Sequence, residues 1–187
     1  FMKVIGFLDM GSSTAFFTKL SARHIRTELI TFYFIYSFIV LCFMFGFMFI
    51  LNSLDLTFYI LPNMPNEYIY FGLFFGFFTW FTKIFIKISD AYALTVSVEL
   101  LKIGHKIVSL FLLLYFIYFT SFDLHGYFTF HYIALFSFLL ILTWLFTRKS
   151  IFSKTILNIK ELEFKKILKE FIEYCHPLFI YSVIGLI

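Results

Sequence analysis

The chain has 187 residues, of which 61% are hydrophobic and only 14% are charged. Soluble domains carry about 25% charged residues, so this composition excludes an ordinary water-soluble enzyme. A disordered chain is also excluded, because such chains lack apolar surface to bury. The formal net charge is +4. In so apolar a chain this excess indicates cytoplasmic loops rather than a nucleic-acid partner.

Two apolar segments of uncertain length lie at the ends of the chain. Residues 1–18 are interrupted by Lys3 and Asp9, and residues 177–187 form a short apolar run that follows Pro177. Because the chain opens on Phe1 and its last run is short, we expect an internal piece of a longer transporter. The two cysteines, Cys42 and Cys175, are predicted to be free thiols.

Four further segments are long and apolar enough to cross a bilayer, which takes about 20 helical residues. They cover residues 29–51, 68–88, 107–122 and 127–147, and the third can extend backward through residue 100. The sequence therefore predicts an all-α integral membrane protein with about five transmembrane helices and the start of another. We divide it into a transmembrane bundle (1–147), an amphipathic linker (148–176) and the start of a further helix (177–187).

The basic residues predict the orientation of these helices. All but one of the Lys and Arg residues lie in segments 19–28, 83–106 and 148–173, whereas connections 52–67 and 123–126 contain none. Basic loops remain on the cytoplasmic side of a membrane. We therefore expect loops 19–28, 89–106 and 148–176 in the cytoplasm of a bacterial cell, with the helices in its inner membrane.

The connections differ in kind. Residues 52–67 contain prolines and asparagines and predict a turn-rich external loop. Residues 89–106 predict helix, so that two spans project into the cytoplasm. Residues 151–174 alternate apolar and charged positions at helical spacing, which predicts an amphipathic helix lying at the membrane surface.

No soluble-enzyme motif is present: the sequence has no P-loop spacing, no paired-cysteine motif and no His-x-x-x-His helix. The five histidines are placed at the edges of the predicted spans, where polar contact at the interface is the simplest role. We predict no cofactor and no metal site.

The best candidate site residue is Asp9, with Lys3. An ionisable side chain at membrane depth costs about 2.5–3.5 kcal/mol or more unless it faces protein or water. Asp9 stands ten residues before Lys19, about 15 Å along a helix, and is therefore expected near mid-membrane. Two interpretations stay open: Asp9 and Lys3 line a hydrophilic cavity, or they pair with a neighbouring helix.

A second candidate set is basic. Lys83 and Lys87 stand one turn apart at the cytoplasmic end of a span, and Lys102 and Lys106 repeat the spacing at the start of the next. The first pair could capture a lipid phosphate, or could simply extend to the interface as positive-inside residues. If both pairs faced one cavity, they would form a four-lysine funnel for an anionic lipid.

Three segments resemble one family. Residues 6–19, Gly-Phe-Leu-Asp-Met-Gly-Ser-Ser-Thr-Ala-Phe-Phe-Thr-Lys, look like the second helix of polysaccharide (O-antigen type) flippases. Residues 89–95, Ser-Asp-Ala-Tyr-Ala-Leu-Thr, followed by Glu99, resemble the turn between their fourth and fifth helices. Residues 173–180, Glu-Tyr-Cys-His-Pro-Leu-Phe-Ile, are similar to the start of their seventh helix. The three motifs stand in the family's order and together span nearly the whole chain.

The resemblance implies part of the first lobe of a MATE-like flippase of the multidrug/oligosaccharidyl-lipid/polysaccharide exporter superfamily. It implies alternating-access movement of an undecaprenyl-pyrophosphate-linked oligosaccharide across the inner membrane for O-antigen and lipopolysaccharide synthesis. In that mechanism Lys3 and Asp9 would line the cavity, and Lys83 and Lys87 would help capture pyrophosphate. The implied partners are membrane lipid, the lipid-linked glycan, and a polysaccharide polymerase with its chain-length proteins, and the energy would come from a proton or Na⁺ gradient.

Three other classes of protein stay open. A non-catalytic scaffold subunit would predict no charge at membrane depth, and Asp9 argues against it. A membrane-embedded glycan polymerase or acyltransferase of the same pathway would predict a long external loop rich in Arg, Asp or His. A multidrug exporter of the same superfamily would share the fold and differ in substrate.

Overall fold

The computed structural model describes residues 9, 12–22, 28–60, 64–120, 122–152 and 164–173, and these are helices and short turns with no strand. In chain order the helices are α1 Ser12–Ala22, α2 Glu28–Ser53, the single turn α3 Thr57–Ile60, α4 Asn66–Ala91, α5 Thr95–Phe119 and α6 Leu124–Arg148. Residues 164–173 form a further helical segment, here named the docked helix.

The structure confirms the four long spans. Helices α2, α4, α5 and α6 are each long and apolar enough to cross a membrane. The predicted span 107–122 is displaced, because α5 begins at Thr95 and ends at Phe119. The external connection 52–67 includes the turn α3. The predictions on residues 1–8 and 177–187, which include Lys3, lie outside the described residues, as does Cys175, whereas Cys42 is a free thiol.

Helix α4 is the centre of the bundle. Its buried side chains recur every three or four residues and so form one continuous stripe along the helix. They are Ile69, Leu73, Gly76, Phe77, Trp80, Thr82, Ile84, Phe85, Ile88 and Ser89. The helix packs most extensively against α1 and α6 and less against α5 and α2. Any side chain on this stripe is therefore held by neighbours from several helices.

The outer faces of α2 and α5 are apolar and exposed. In α2 they include Phe38, Phe43, Phe49 and Ile50, and in α5 the whole length is exposed except for the buried Val98 and a few half-buried positions. Exposed apolar surface on this scale is not found on monomeric soluble proteins and is what a lipid-facing wall requires.

Three helices end with the same hydrogen-bonded turn, in which a residue other than glycine adopts the left-handed conformation. These residues are Asp55, Ala93 and Ser150, with φ of 54°, 56° and 55°. After α4, the amide of Leu94 donates to the carbonyl of Ser89 at 2.8 Å, and the amide of Ala93 donates to that of Asp90 at 3.2 Å. This pairing is the Schellman motif, which normally carries glycine at the left-handed position.

The α4–α5 connection is thus a tight hairpin at residues 92–94, within the segment 89–95 whose sequence resembles a turn and inside the stretch 89–106 that the residue pattern predicts as helix. The Thr95 hydroxyl donates to Asp90 Oδ1 at 2.9 Å and closes the turn. Burial raises the pKa of the Tyr92 phenol above its usual value, so this side chain stays neutral at physiological pH.

Lys19, Lys83, Lys87, Arg148 and Lys149 lie near helix ends at one end of the bundle, whereas Lys102 and Lys106 lie further along α5. Lys87 Nζ lies 5.1 Å above the Phe17 ring, which joins the basic ends of α4 and α1. The Phe85 and Phe146 rings stack 5.7 Å apart, which brings the basic end of α6 to the same level. The opposite ends, which include Asp55, Glu67 and Asp123, carry no Lys or Arg among the residues that the structure describes. This separation is the one that the positive-inside rule requires.

The docked helix is amphipathic, and part of its apolar face packs against α2. Phe171 packs against the rings of Phe32 and Tyr36 in α2, with ring centres 5.3 and 5.4 Å apart, and Phe164 lies 5.4 Å from Phe32. Ile167 is buried in the same contact. The α2 rings therefore cover part of the apolar face of the docked helix, and the location of residues 151–174 at the membrane surface stays a prediction.

Candidate functional site

The Asp9 carboxylate points into the bundle and receives hydrogen bonds from three helices. Its Oδ1 accepts from Ser12 Oγ of α1 at 2.9 Å, from Trp80 Nε1 of α4 at 3.0 Å and from Tyr33 Oη of α2 at 3.2 Å. On the same turn of helix, Ser13 Oγ donates to Oδ2 at 2.8 Å and the Ser13 amide donates to Oδ1 at 3.3 Å. Both carboxylate oxygens are thus occupied by neutral donors.

The donors around Asp9 are themselves deeply buried. Ser12 and Tyr33 are about as buried as any residue of the bundle, and Trp80 is 5% exposed, whereas Asp9 itself is half-buried. The Tyr33 ring stacks on Phe16 at 4.3 Å, so that its hydroxyl has little freedom to move. Five donors directed at one carboxylate suit an anion, because every contact stabilises negative charge.

The hydroxyls of Ser12 and Tyr33 also contact each other, at 2.8 Å. With Asp9 Oδ1 they form a triangle of three oxygens. The two hydroxyl groups supply two hydrogens for three contacts, so one side of the triangle always lacks a hydrogen while Asp9 is anionic. The site therefore has more than one hydrogen-bonding arrangement of nearly the same geometry.

These contacts bear on the two interpretations left open for Asp9. The described part of the site matches pairing with neighbouring helices, because α1, α2 and α4 all supply donors. A cavity lined by Asp9 and Lys3 stays a prediction.

The predicted lysines take different environments. Lys83 is exposed, and Lys87 is half-buried with its amine over Phe17. Lys87 stands seven residues after Trp80 and so lies on the same face of α4, about 10 Å nearer the basic end. Lys102 Nζ is bound by Glu99 of its own helix at 3.0 Å, and Lys106 is exposed. The four-lysine funnel thus stays a prediction, with one of its members already ion-paired.

A second polar link, between α5 and α6, was not predicted. His105 Nε2 lies 2.9 Å from Ser137 Oγ, and Ser109 Oγ lies 3.4 Å from His105 Nδ1. Ser137 Oγ also donates to the carbonyl of Ala134 at 3.0 Å, so the histidine nitrogen is the donor of the Nε2 contact. We had placed His105 at the cytoplasmic edge, but its partner lies near the middle of α6. Ser137, a hydroxyl within an apolar run, was the available signal.

The outer-end histidines lie among aromatic rings. The His131 ring is 4.3 Å from Tyr127 and 5.3 Å from Phe75, and His125 lies 5.8 Å from Phe71. The contacts with Phe75 and Phe71 are edge-on packing contacts between α4 and α6, and the contact with Tyr127 lies within α6. Among the described residues no group of three or more His, Cys, Asp or Glu side chains could hold a metal ion.

A small cavity lies at the basic end, between α1, α2 and the docked helix. Its volume of about 20 Å³ has room for about one water molecule. Its lining includes Lys19, Leu29, Ile167, Glu170 and Phe171. Lys19 Nζ and Glu170 Oε2 form an ion pair across it at 3.3 Å.

Comparison with protein-family models, with curated proteins and with solved structures finds no match for this chain. The resemblance to polysaccharide flippases therefore stays a prediction from the sequence motifs. The structure itself establishes an all-helical protein, over the residues that it describes, with four helices long and apolar enough to cross a membrane.

Proposed function

We propose that the chain is part of a transporter that moves an undecaprenyl-pyrophosphate-linked oligosaccharide across the bacterial inner membrane by alternating access. The observation that carries this proposal is the Asp9 carboxylate, which three helices hold inside an otherwise apolar bundle. A carboxylate at membrane depth is costly, and such residues mark substrate or ion pathways. A purely structural wall of lipid-facing helices would not need one.

The charge distribution is consistent with this task. An anionic lipid that is collected from the cytoplasmic leaflet meets the basic end of the bundle first, where Lys83 is exposed and Lys87 lies over Phe17. Each basic residue near an anionic membrane surface contributes about 1 kcal/mol of attraction. In the proposal these two lysines attract the pyrophosphate, and Asp9 and Lys3 border the route of the sugar head group.

The proposal needs no resident cofactor. Coupling to a proton or Na⁺ gradient would supply the energy, and the working partners would be the lipid-linked glycan, a polysaccharide polymerase and chain-length proteins. The surroundings of His131 favour this proposal over an acyltransferase, because the ring is packed against Phe75 and Tyr127 rather than presented to a substrate.

The test is genetic complementation. The native gene is expressed in a strain that lacks its O-unit flippase but makes the matching glycan, and surface polysaccharide is measured. We expect restoration by the native protein, a clear loss with Asp9→Asn, and normal restoration with Asp55→Asn. Asp55 is the matched control because it is an exposed carboxylate in the turn after α2.

Failure of the native protein with the matching glycan would refute the proposal, as would full restoration by Asp9→Asn at normal abundance. Restored polysaccharide synthesis in a strain that lacks the polymerase would instead indicate the glycan polymerase. Resistance to cationic drugs without restoration would indicate the multidrug exporter.

A further inference from the structure

We infer that the docked helix is a releasable strap that holds the Asp9 site in its observed arrangement, acting through Tyr33. Tyr33 is the residue that the two features share. Its hydroxyl contacts Asp9 Oδ1 at 3.2 Å, and its ring meets Phe171 of the docked helix edge-on at 6.1 Å. One side chain therefore touches the site with its polar end and the strap with its apolar face.

The strap is fastened to both helices that form the site. On α2, Phe171 lies against Phe32, Tyr33 and Tyr36. On α1, Glu170 binds Lys19, which stands two turns beyond Ser12 on the helix that carries the carboxylate's nearest donors. The docked helix therefore bridges α1 and α2 at their basic ends, below the site.

The contacts of the docked helix with α1 and α2 are weak enough to break reversibly. Lys19 and Glu170 are about one-third exposed, and ion pairs at such positions are screened by water and salt. A cavity with room for about one water molecule lies beside the pair, so the contact is incompletely packed. Contacts that are partly exposed and loosely packed are those that open locally at low cost.

Release of the strap would remove Phe171 from the Tyr33 ring. Tyr33 would then lose one of the four ring contacts that the structure describes for it and keep those with Phe16, Tyr36 and Trp80, so its position relative to Asp9 would be less constrained. The consequence for transport rests on the proposed function: bound, the strap keeps α1 and α2 together at the cytoplasmic end, and released, it allows the site to open there. The coupling between strap and site does not require that the chain transports a glycan.

Trp80 offers a direct readout, because its Nε1 donates to Asp9 and its ring is almost fully buried. In full-length protein in lipid nanodiscs, every tryptophan other than Trp80 is replaced by phenylalanine. We expect Phe171→Ala to shift the Trp80 emission to the red and to increase its quenching by acrylamide. Ile172→Ala is the matched control, because that neighbouring side chain is 55% exposed, and it should leave both signals unchanged.

The ion pair gives a second, milder test that does not depend on the packing of Phe171. Glu170→Gln should produce a smaller change in the same direction. The charge swap Lys19→Glu with Glu170→Lys should restore the parent signal. If Phe171→Ala does not accumulate, Glu170→Gln and the swap decide the question.

Three results would overturn the inference: unchanged Trp80 signals in both Phe171→Ala and Glu170→Gln, equal changes in Phe171→Ala and Ile172→Ala, or no recovery in the charge swap. The fluorescence is measured without substrate. A failure of the native protein in the glycan complementation test would therefore not contradict the coupling between the docked helix and the Asp9 site. An unresponsive Trp80 likewise leaves the transport proposal standing.

Discussion

The hydrogen bond between Trp80 and Asp9 should be measurable as a coupling energy. Asp9→Ala alone is a poor test, because it removes interhelical bonds and also removes the cost of placing a carboxylate in the membrane, which is about 2.5–3.5 kcal/mol. These two effects have opposite signs. A double-mutant cycle of Asp9→Ala with Trp80→Phe cancels the second effect and isolates the pairwise contribution.

The magnitude follows from the geometry. The Trp80 Nε1 donor lies 3.0 Å from Asp9 Oδ1 in a nearly dry environment. Interhelical hydrogen bonds in membrane bundles contribute about 0.6 kcal/mol on average and about 1.7 kcal/mol at most. Because the acceptor is a carboxylate, we expect a coupling energy in the upper half of that range. In the Asp9→Ala variant Ser12 and Tyr33 keep their contact with each other, which makes the loss of stability smaller.

The assay is reversible unfolding of the protein by SDS in mixed micelles, followed by circular dichroism. A parallel cycle of Asp9→Ala with Trp144→Phe is the control, because Trp144 is 57% exposed on α6. We expect additive behaviour there, within about 0.3–0.5 kcal/mol. A coupling energy for Trp80 no larger than that of the control would refute the assigned hydrogen bond.

Further predictions concern the turns, the second polar link and the orientation. Ala93→Gly should raise the free energy of unfolding by about 0.5–1 kcal/mol, because glycine removes the strain of the left-handed conformation. In the same SDS assay Ala134→Gly, in the interior of α6, should lower it by about 1 kcal/mol. Ser137→Ala should lower it by about 0.6 kcal/mol, since its histidine partner loses an acceptor; no change would contradict that link. Against a cysteine-free background, Glu67→Cys should react with an impermeant maleimide in intact cells, and Lys149→Cys only after permeabilisation. Labelling of both from one side would contradict the orientation.

The spans were predictable because length and hydropathy determine them directly, but their limits were not. Glu99, Lys102 and Lys106 interrupt the hydropathy of α5, although its backbone continues as helix from Thr95. The hairpin at residues 92–94 carries no glycine or proline, so residue type alone did not indicate a turn there, and only the family resemblance of residues 89–95 did. Ala93 adopts the left-handed conformation because the flanking helices require it, which is a tertiary effect.

The site was predictable only in part. Asp9 is visible in the sequence as a charge within an apolar run, but its partners are not. Tyr33 and Trp80 stand 24 and 71 residues away. Tyr33 is one of 12 Tyr residues, and although Trp80 is one of only two Trp residues, nothing in its spacing relates it to Asp9. The periodicity of residues 164–173 likewise predicted an apolar face, but periodicity does not indicate whether lipid or α2 covers that face.

The unequal burial of α4 and α5 sets different demands on their sequences. Within α5, which the structure describes in full, Val98 is the one buried side chain, whereas α4 has ten. Acyl chains are fluid and adapt to the shape of a side chain, so the exposed positions of α5 need only be hydrophobic. A buried side chain on α4 packs against fixed neighbours. Adding or removing one methylene group there disturbs the packing. Exchanges among Leu, Ile, Val and Phe should therefore have little effect on the stability of the protein along α5 and should lower it along the buried stripe of α4.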